Sequence, residues 1–217
     1  MRISVNRKNI SKSAIIIILI SVAAFISLLS DGHKANASAS GPSPSFTDAP
    51  GEANCTACHV DFPVNSGSGS VTISGVPRIY LPGQQMQIKV TTSQEDGVNY
   101  GFQLTAIDDL GRAAGTWTLH DTVQTQIVEG LVGSDLRQYV EHTSAGIVPT
   151  TFGAKSWTFT WNAPAQFIGR VGFYAAGNAA NGSGKTDGDY IYTTAKISIG
   201  GSAEADFATA LSDDTEK

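Results

Sequence analysis

Cysteine is almost absent from this chain of 217 residues: only Cys55 and Cys58 occur. An exported domain stapled by disulfides has cysteines spread along its length, so this chain is not a disulfide scaffold. No window has a helical period of useful length. Nucleotide-binding glycine loops, G-x-S-x-G and H-E-x-x-H are also missing, so nucleotide-binding, hydrolase and metalloprotease functions have no support.

The first 37 residues are predicted to be a signal peptide. A basic stretch precedes the apolar run 14–29, which is shorter than the roughly 20 residues of a membrane span. Ala35-Asn36-Ala37 then supplies an A-x-A cleavage pattern. An uncleaved anchor is the alternative. In both cases the remaining chain is predicted to be exported (periplasmic, cell-surface or extracellular), and cleavage leaves no membrane span.

Basic side chains are scarce once that segment is removed. The whole chain has 14 Lys+Arg and 19 Asp+Glu, of which five basic residues and one acidic residue lie in 1–37. Nine basic and eighteen acidic side chains remain, for a formal net charge of −9. Such a surface repels phosphates, which excludes nucleic acid as a partner and favours a basic protein partner.

Beyond the signal peptide, four regions are predicted. Residues 38–50 are rich in Ser, Pro, Gly and Ala and read as a flexible linker. Residues 51–69 hold both cysteines, 70–199 carry strand-like runs, and 200–217 form an acidic tail predicted to be disordered.

Alternating apolar and polar residues between Gly, Pro and Asn turns predict six or more short strands within 70–199. The apolar sets are Met86, Ile88 and Val90; Phe102, Leu104 and Ala106; Trp157, Phe159 and Trp161; and Val171, Phe173 and Ala175. Ser70 to Ser74 and a long last strand from Asp189 to Ile199 complete the pattern. This pattern predicts an all-β fold, an antiparallel β-sandwich.

The motif Cys55-Thr56-Ala57-Cys58-His59 is C-x-x-C-H, the attachment pattern of haem c. Two thiols three positions apart reach the two vinyl groups on one edge of a porphyrin and form thioethers. The adjoining imidazole then lies under the iron as the proximal ligand. The sequence therefore predicts one covalent haem c, held by Cys55 and Cys58 and ligated by His59.

Three other interpretations of the motif remain open. A zinc site usually needs four N or S ligands, and no second C-x-x-C or H-x-x-x-H occurs. A thioredoxin-like dithiol expects a βαβ setting, which the strand pattern lacks. A local disulfide between Cys55 and Cys58, with His59 as a bystander, is the third.

A six-coordinate haem needs a second axial ligand. The spacing of residues alone does not decide between His142 and His120. His120 stands beside Asp121, whose carboxylate could orient the ring, and His142 lies in a polar stretch followed by turn residues. Met86 falls on the apolar face of a predicted strand, where core packing is its default role. The loop 177–184, rich in Gly and Asn, would allow close approach of backbone to a flat ligand, or is an ordinary hairpin loop.

Several segments together resemble the bacterial "choice-of-anchor V" domains, which are in turn similar to Reeler (reelin-type) β-sandwiches. They are 49–59, 70–75, 80–84, 100–106, 156–161 and Phe173-Tyr174-Ala175-Ala176-Gly177-Asn178-Ala179-Ala180-Asn181-Gly182. The resemblance covers about residues 48–199 and implies a Reeler or immunoglobulin-like sandwich with a haem motif near its start. The family's central His-Thr pair falls on His142-Thr143, which implies His142 as the distal ligand before His120.

The sequence thus predicts an exported monohaem cytochrome with bis-histidine ligation and an unidentified redox partner. An electron carrier is favoured over an enzyme, and no catalytic residue is assigned. The alternatives are a Reeler-type binding or adhesion domain whose Cys55 and Cys58 form a disulfide, and a haem sensor or peroxidase with an open sixth position.

Overall fold

The computed structural model of the protein describes residues 38–201. The predicted signal peptide, 1–37, lies outside the described residues, and so does the predicted acidic tail from Ser202 onward. Among the described residues, no helix has the length and apolar character needed to cross a membrane.

Within 38–201 the chain forms ten strands and two 3₁₀ helices of three residues each, Cys55–Ala57 and Ser144–Gly146. The strands are β1 (Ser70–Ser74), β2 (Ile79–Tyr80), β3 (Gln85–Ser93), β4 (Asn99–Asp108), β5 (Thr116–Leu119), β6 (Thr125–Val132), β7 (Asp135–His142), β8 (Ala154–Asn162), β9 (Arg170–Ala180) and β10 (Tyr190–Gly200).

The strands form two sheets. A four-stranded sheet has the order β1-β3-β8-β5, and a six-stranded sheet has the order β2-β10-β9-β4-β7-β6. Neighbouring strands are antiparallel, apart from the short parallel pairing of β2 with β10. The predicted antiparallel β-sandwich is confirmed.

Aromatic side chains from both sheets fill the core. Phe159 on β8 is fully buried and lies opposite Ile88 on β3. The ring of Phe102, from the other sheet, has its centroid 4.4 Å from that of Trp157. Trp161 donates its indole N–H to the Ala114 carbonyl at 2.8 Å, so its polar atom is satisfied within the core. The four predicted apolar sets therefore face the core, as their alternation requires.

Strands β2, β5, β6 and β7 are not among those that the sequence predicts. Along β6 only Thr125 is buried, so the strand has no apolar set of period two that would reveal it. Strand β7 ends at His142, which the sequence placed in a loop-like stretch. β6 lies at the edge of its sheet and buries little side-chain surface, which explains its weak pattern.

Residues 38–69, called here the N-terminal strap, contact the six-stranded sheet. Thr47 and Ala49 of the strap are buried. Gln103 on β4 donates to the Ser43 carbonyl at 3.0 Å and accepts from the Phe46 amide at 2.8 Å. The segment 38–50, predicted as a flexible linker, therefore packs on the sheet. The buried side chain of Gln103 supplies hydrogen-bond partners for the irregular backbone of this segment.

A buried ion pair fixes the strap just before the cysteine motif. Arg137 on β7 lies 2.6 Å from Glu52, and their side chains are 4% and 0% exposed. Arg137 also donates to the Pro50 carbonyl at 3.0 Å, and the Tyr139 hydroxyl donates to Glu52 at 2.8 Å. Thr47 donates to the other Glu52 oxygen at 2.6 Å. Both charges thus have several partners, which buried charges require.

Truncating the core should destabilise the sandwich far more than truncating its outer surface. Phe159→Ala should lower the free energy of unfolding by about 3–5 kcal/mol, because a fully buried ring is lost. Thr158→Ala, on the opposite side of β8, should change it by only about 0.5 kcal/mol. Denaturant titrations measure both, and equal losses would mean that β8 faces the other way.

Breaking the buried ion pair should also be costly. Arg137→Met leaves the Glu52 carboxylate buried without its cation, and should lower the free energy of unfolding by about 3–5 kcal/mol. Adding Glu52→Gln should restore part of that loss, because no uncompensated charge remains.

The control for this prediction is Arg170→Met, which breaks the exposed pair with Asp109 and should leave stability nearly unchanged. Thermal or denaturant unfolding that finds Arg137→Met no worse than Arg170→Met would contradict the importance assigned to the buried pair.

Candidate functional site

The two cysteines lie on a single helical turn of the strap. The Cys55 carbonyl accepts from the amides of Cys58 and His59, at 3.3 and 3.0 Å. Asn54 caps the turn, accepting from the Thr56 amide at 2.9 Å. Residues three and four positions apart share one side of a helical turn. The turn therefore brings two thiols and an imidazole together within five residues.

Both cysteines are free thiols and are half-buried. Burial raises the pKa of Cys55 to about 12, and the neighbouring Cys58, Asp48 and Glu141 raise it further. A redox dithiol needs a thiolate, which a raised pKa opposes. The geometry therefore does not favour the thioredoxin-like interpretation.

His59 lies against two residues of the six-stranded sheet region. Its Nδ1 is 2.7 Å from a carboxylate oxygen of Asp189, whose side chain is fully buried. Its Nε2 is 3.4 Å from the side-chain nitrogen of Asn178 on β9. Asp189 also accepts from the Asn181 amide at 3.0 Å, which holds the carboxylate in place. A carboxylate at one ring nitrogen orients the imidazole, so that the other nitrogen, here beside Asn178, is directed to one position.

Unpartnered polar atoms cluster around this imidazole. Within the described part of the chain, four buried side-chain N or O atoms lack a well-aligned hydrogen-bond partner. Three of them are His59 Nδ1, Asp189 Oδ2 and Asn178 Oδ1. The first two are close together, but their contact is not aligned as a hydrogen bond. Buried polar groups are almost always satisfied, so these atoms are the candidates for contact with a bound group.

His142, the residue implied as distal ligand, lies at the end of β7 and is 7% exposed. Its Nδ1 is 3.0 Å from the Phe102 amide nitrogen and 3.1 Å from the Phe102 carbonyl oxygen. Burial lowers its pKa, opposed by hydrogen bonds with the backbone of Phe102 and Ser38. Burial therefore favours the neutral imidazole, which main-chain groups hold in place.

The two histidines lie over adjacent strands of the six-stranded sheet. A Cβ at Gly101 on β4 would meet His142 Cε1 at 2.6 Å, so the ring packs directly over this glycine. Gly101 is the cross-strand partner of Asn178, the residue that His59 contacts. The fold thus brings His142 into the same region of the sheet as the cysteine motif.

The other two ligand candidates belong to the four-stranded sheet. His120 follows β5, and its Nε2 lies 2.8 Å from the Thr160 hydroxyl. Asp121 does not orient His120, because its oxygens accept from Val123 and Gln124. Met86 is buried in the core on β3, the packing role expected for it.

One further charged group lies close to the motif. Burial raises the pKa of Glu141 to about 7, and hydrogen bonds from Gln103 and Gln126 oppose that shift. Its carboxylate in turn raises the pKa of Cys55, which places the two side chains near each other.

Sequence reasoning missed Asp189 and Asn178. Asn178 falls within the predicted loop 177–184, but the structure places it in β9, and the observed loop begins only at Asn181. Asp189 was counted only as the first residue of a strand that in fact starts at Tyr190. Among the described residues no group of three or more His, Cys, Asp and Glu could hold a metal ion, so the zinc interpretation gains no support.

Comparison with known proteins finds one matching protein family, and solved structures that share little sequence identity with this chain. The human F-spondin reeler domain aligns with 18% identity over 64% of this chain and 93% of its own length, with a TM-score of 0.43. The Reelin-N domain of F-spondin gives 20% identity over 68% and 97%, with a TM-score of 0.43. A cohesin module from Clostridium perfringens gives 9% identity over 61% and 96%, again with a TM-score of 0.43.

No curated protein matches the sequence. The Reeler domain family matches residues 53–177, a stretch that includes the cysteine motif and more than half of the chain. This chain belongs to the Reeler domain family.

Proposed function

We propose that this Reeler-family domain is an exported electron carrier that holds one haem c through Cys55 and Cys58. The observation that carries the proposal is the position of His59, next to the turn with the two thiols and with its Nδ1 2.7 Å from the buried carboxylate of Asp189. A C-x-x-C motif that served only as a disulfide or a dithiol would not require a buried carboxylate next to the histidine that follows it.

The residues present fit a covalently attached haem. Cys55 and Cys58 are free and three positions apart on one turn, as two thioether bonds to one porphyrin edge require. Asp189 at Nδ1 of His59 would select the tautomer with an unprotonated Nε2 and raise the basicity of the ring; iron at Nε2 would replace the contact with the Asn178 side chain, 3.4 Å away. When bound, the haem would supply a one-electron redox centre, whose potential depends on its axial ligands.

His142 is the proposed sixth ligand. Its neutral imidazole is the form that binds iron. The Phe102 amide lies 3.0 Å from Nδ1 and donates to it, so binding through Nε2 requires the other tautomer, in which Nδ1–H donates to the Phe102 carbonyl, 3.1 Å away. Two histidine ligands would give a lower potential than a histidine with a methionine, because methionine raises the potential.

The redox partner is proposed to present a basic surface. The exported part of the chain has a formal net charge of −9 once the predicted signal peptide is removed. Opposite charges accelerate encounter and orient the partner. Export itself rests on the signal-peptide pattern of 1–37.

A second candidate function follows from family membership. As a Reeler domain, the chain would be an extracellular binding or adhesion module whose Cys55 and Cys58 form a local disulfide. Haem attachment and a disulfide exclude each other at the same two sulfurs, so one experiment separates these functions.

Removing both thiols should abolish covalent haem. Protein exported by a host with cytochrome c maturation should retain haem through a denaturing gel, whereas Cys55→Ala/Cys58→Ala should not. The double variant should still fold, because both cysteines lie in the strap and outside the core cluster. Ala57→Ser, an exposed change between the thiols, is the matched control. If the double variant keeps haem through acid–acetone extraction, Cys55 and Cys58 are not the attachment sites. A wild-type protein without haem would support the second candidate function, with a disulfide.

Replacing the sixth ligand should change the spin state of the ferric haem. His142→Ala should give a high-spin haem that binds added imidazole or cyanide readily, because the iron loses an axial nitrogen. His120→Ala should remain low-spin, since His120 lies beside Thr160 on the other sheet. Optical spectra measure both. The reverse outcome would assign the role to His120, and a high-spin wild type would favour an open-site sensor or peroxidase.

A further inference from the structure

Lys155, outside the haem-motif region, is buried without a carboxylate partner. It is 2% exposed, whereas Lys89, Lys185 and Lys196 are exposed. None of the ion pairs in the described part of the chain includes it. Its amine instead contacts the side-chain carbonyl oxygen of Gln124. A buried ammonium normally pairs with a carboxylate, so this contact needs another explanation.

The side-chain nitrogen of Gln124, on the other side of the carboxamide from Lys155, is also hydrogen-bonded. Its Nε2 donates to Asp121 Oδ2 at 2.7 Å. Asp121 Oδ1 accepts from the backbone amides of Val123 and Gln124, at 2.9 and 3.0 Å, which fixes the carboxylate. The Gln124 carbonyl accepts from the Thr143 amide at 3.0 Å, so the backbone is fixed as well. The Gln124 carboxamide therefore lies between an amine at its Oε1 and a carboxylate at its Nε2, in the turn between β5 and β6.

Burial also shifts the pKa of the Lys155 amine. Desolvation lowers the pKa of Lys155, and the charge of Asp121 only partly opposes this shift. Lowering the pKa increases the fraction of neutral amine, which is the nucleophilic form.

We propose that Lys155 and Gln124 form an intramolecular isopeptide bond. Nζ of the neutral amine attacks Cδ of Gln124; the new Cδ–Nζ bond forms and the Cδ–Nε2 bond breaks. The proton lost by Nζ leaves with Nε2, so the products are one amide cross-link and one molecule of ammonia. No oxidant, reductant or cofactor is required.

Asp121 is the proposed proton relay, because its carboxylate already binds the nitrogen that departs. Backbone hydrogen bonds from Gln124 lower the pKa of Asp121, which makes it a weak base. A weak base suffices because the reaction occurs once in the life of each chain. Fixed positions of the amine and the carboxamide supply the remaining acceleration.

The bond would connect the two sheets. Lys155 lies on β8 of the four-stranded sheet, and Gln124 immediately precedes β6 of the six-stranded sheet. Strand ladders run only within each sheet, so the sheets are otherwise joined by side-chain packing and chain connections. A cross-link between them would restrict the unfolded chain, as a disulfide does.

Mass spectrometry of the purified, exported chain tests the proposal. Tryptic digestion should yield a branched peptide that contains Lys155 and Gln124, lighter than its two parts by one ammonia, with no cleavage after Lys155. The loss of ammonia must be assigned to the peptide with Lys155 and Gln124, because succinimide formation at Asn181-Gly182 would also release ammonia. The digest needs no haem, so it is independent of the proposed electron-carrier function.

Two variants complete the test. Lys155→Met should have the mass calculated from its sequence, without loss of ammonia, and should yield no branched peptide. Asp121→Asn should slow formation of the branched peptide by about 10²-fold and still accept the backbone amides of Val123 and Gln124. If either variant fails to fold, the wild-type digest alone decides. Separate, unbranched peptides for Lys155 and Gln124 after prolonged incubation of the wild type would overturn the proposal.

Discussion

The buried ion pair between Arg137 and Glu52 is the interaction on which the site depends. It joins the strap to β7 three residues before Cys55, with both side chains almost fully removed from water. A buried charge pair is weak evidence of net stability, but it is costly to break, and it is specific in position. The strap has few apolar residues of its own, so this pair, together with the Gln103 bonds to Ser43 and Phe46, decides where the cysteine turn lies.

From that anchor the chain reaches β9 and the loop that follows it. The turn delivers His59 to Asp189 and Asn178, and beyond it Phe62 stacks on Tyr190 with ring centroids 4.3 Å apart. The strap is thus fixed on both sides of the motif. A rigid frame around a histidine with a buried carboxylate at one nitrogen is the arrangement expected of an oriented metal ligand.

Much of the sandwich was predictable because its core strands alternate in polarity, with their apolar side chains in the core. Strand β1 and the apolar faces of β3, β4, β8 and β9 could be predicted for that reason, whereas the edge strand β6 could not. The site was predictable only in part. The cysteine spacing is local, but His59 and Asn178 are 119 residues apart and meet through sheet order and register, which no local pattern encodes. The packing of 38–50 was hidden for a similar reason, since its partners lie on β4 and β7.

The central claim is that the cysteine turn carries an iron centre whose ligand His59 is oriented by Asp189. An anomalous difference map at the iron absorption edge, from crystals of chain exported by a cytochrome-maturing host, tests it most directly. The account predicts one iron peak at Nε2 of His59, continuous density from both Sγ atoms to a porphyrin, and Asp189 at Nδ1. A map without an iron peak, with density joining Cys55 and Cys58 as a disulfide, would contradict it.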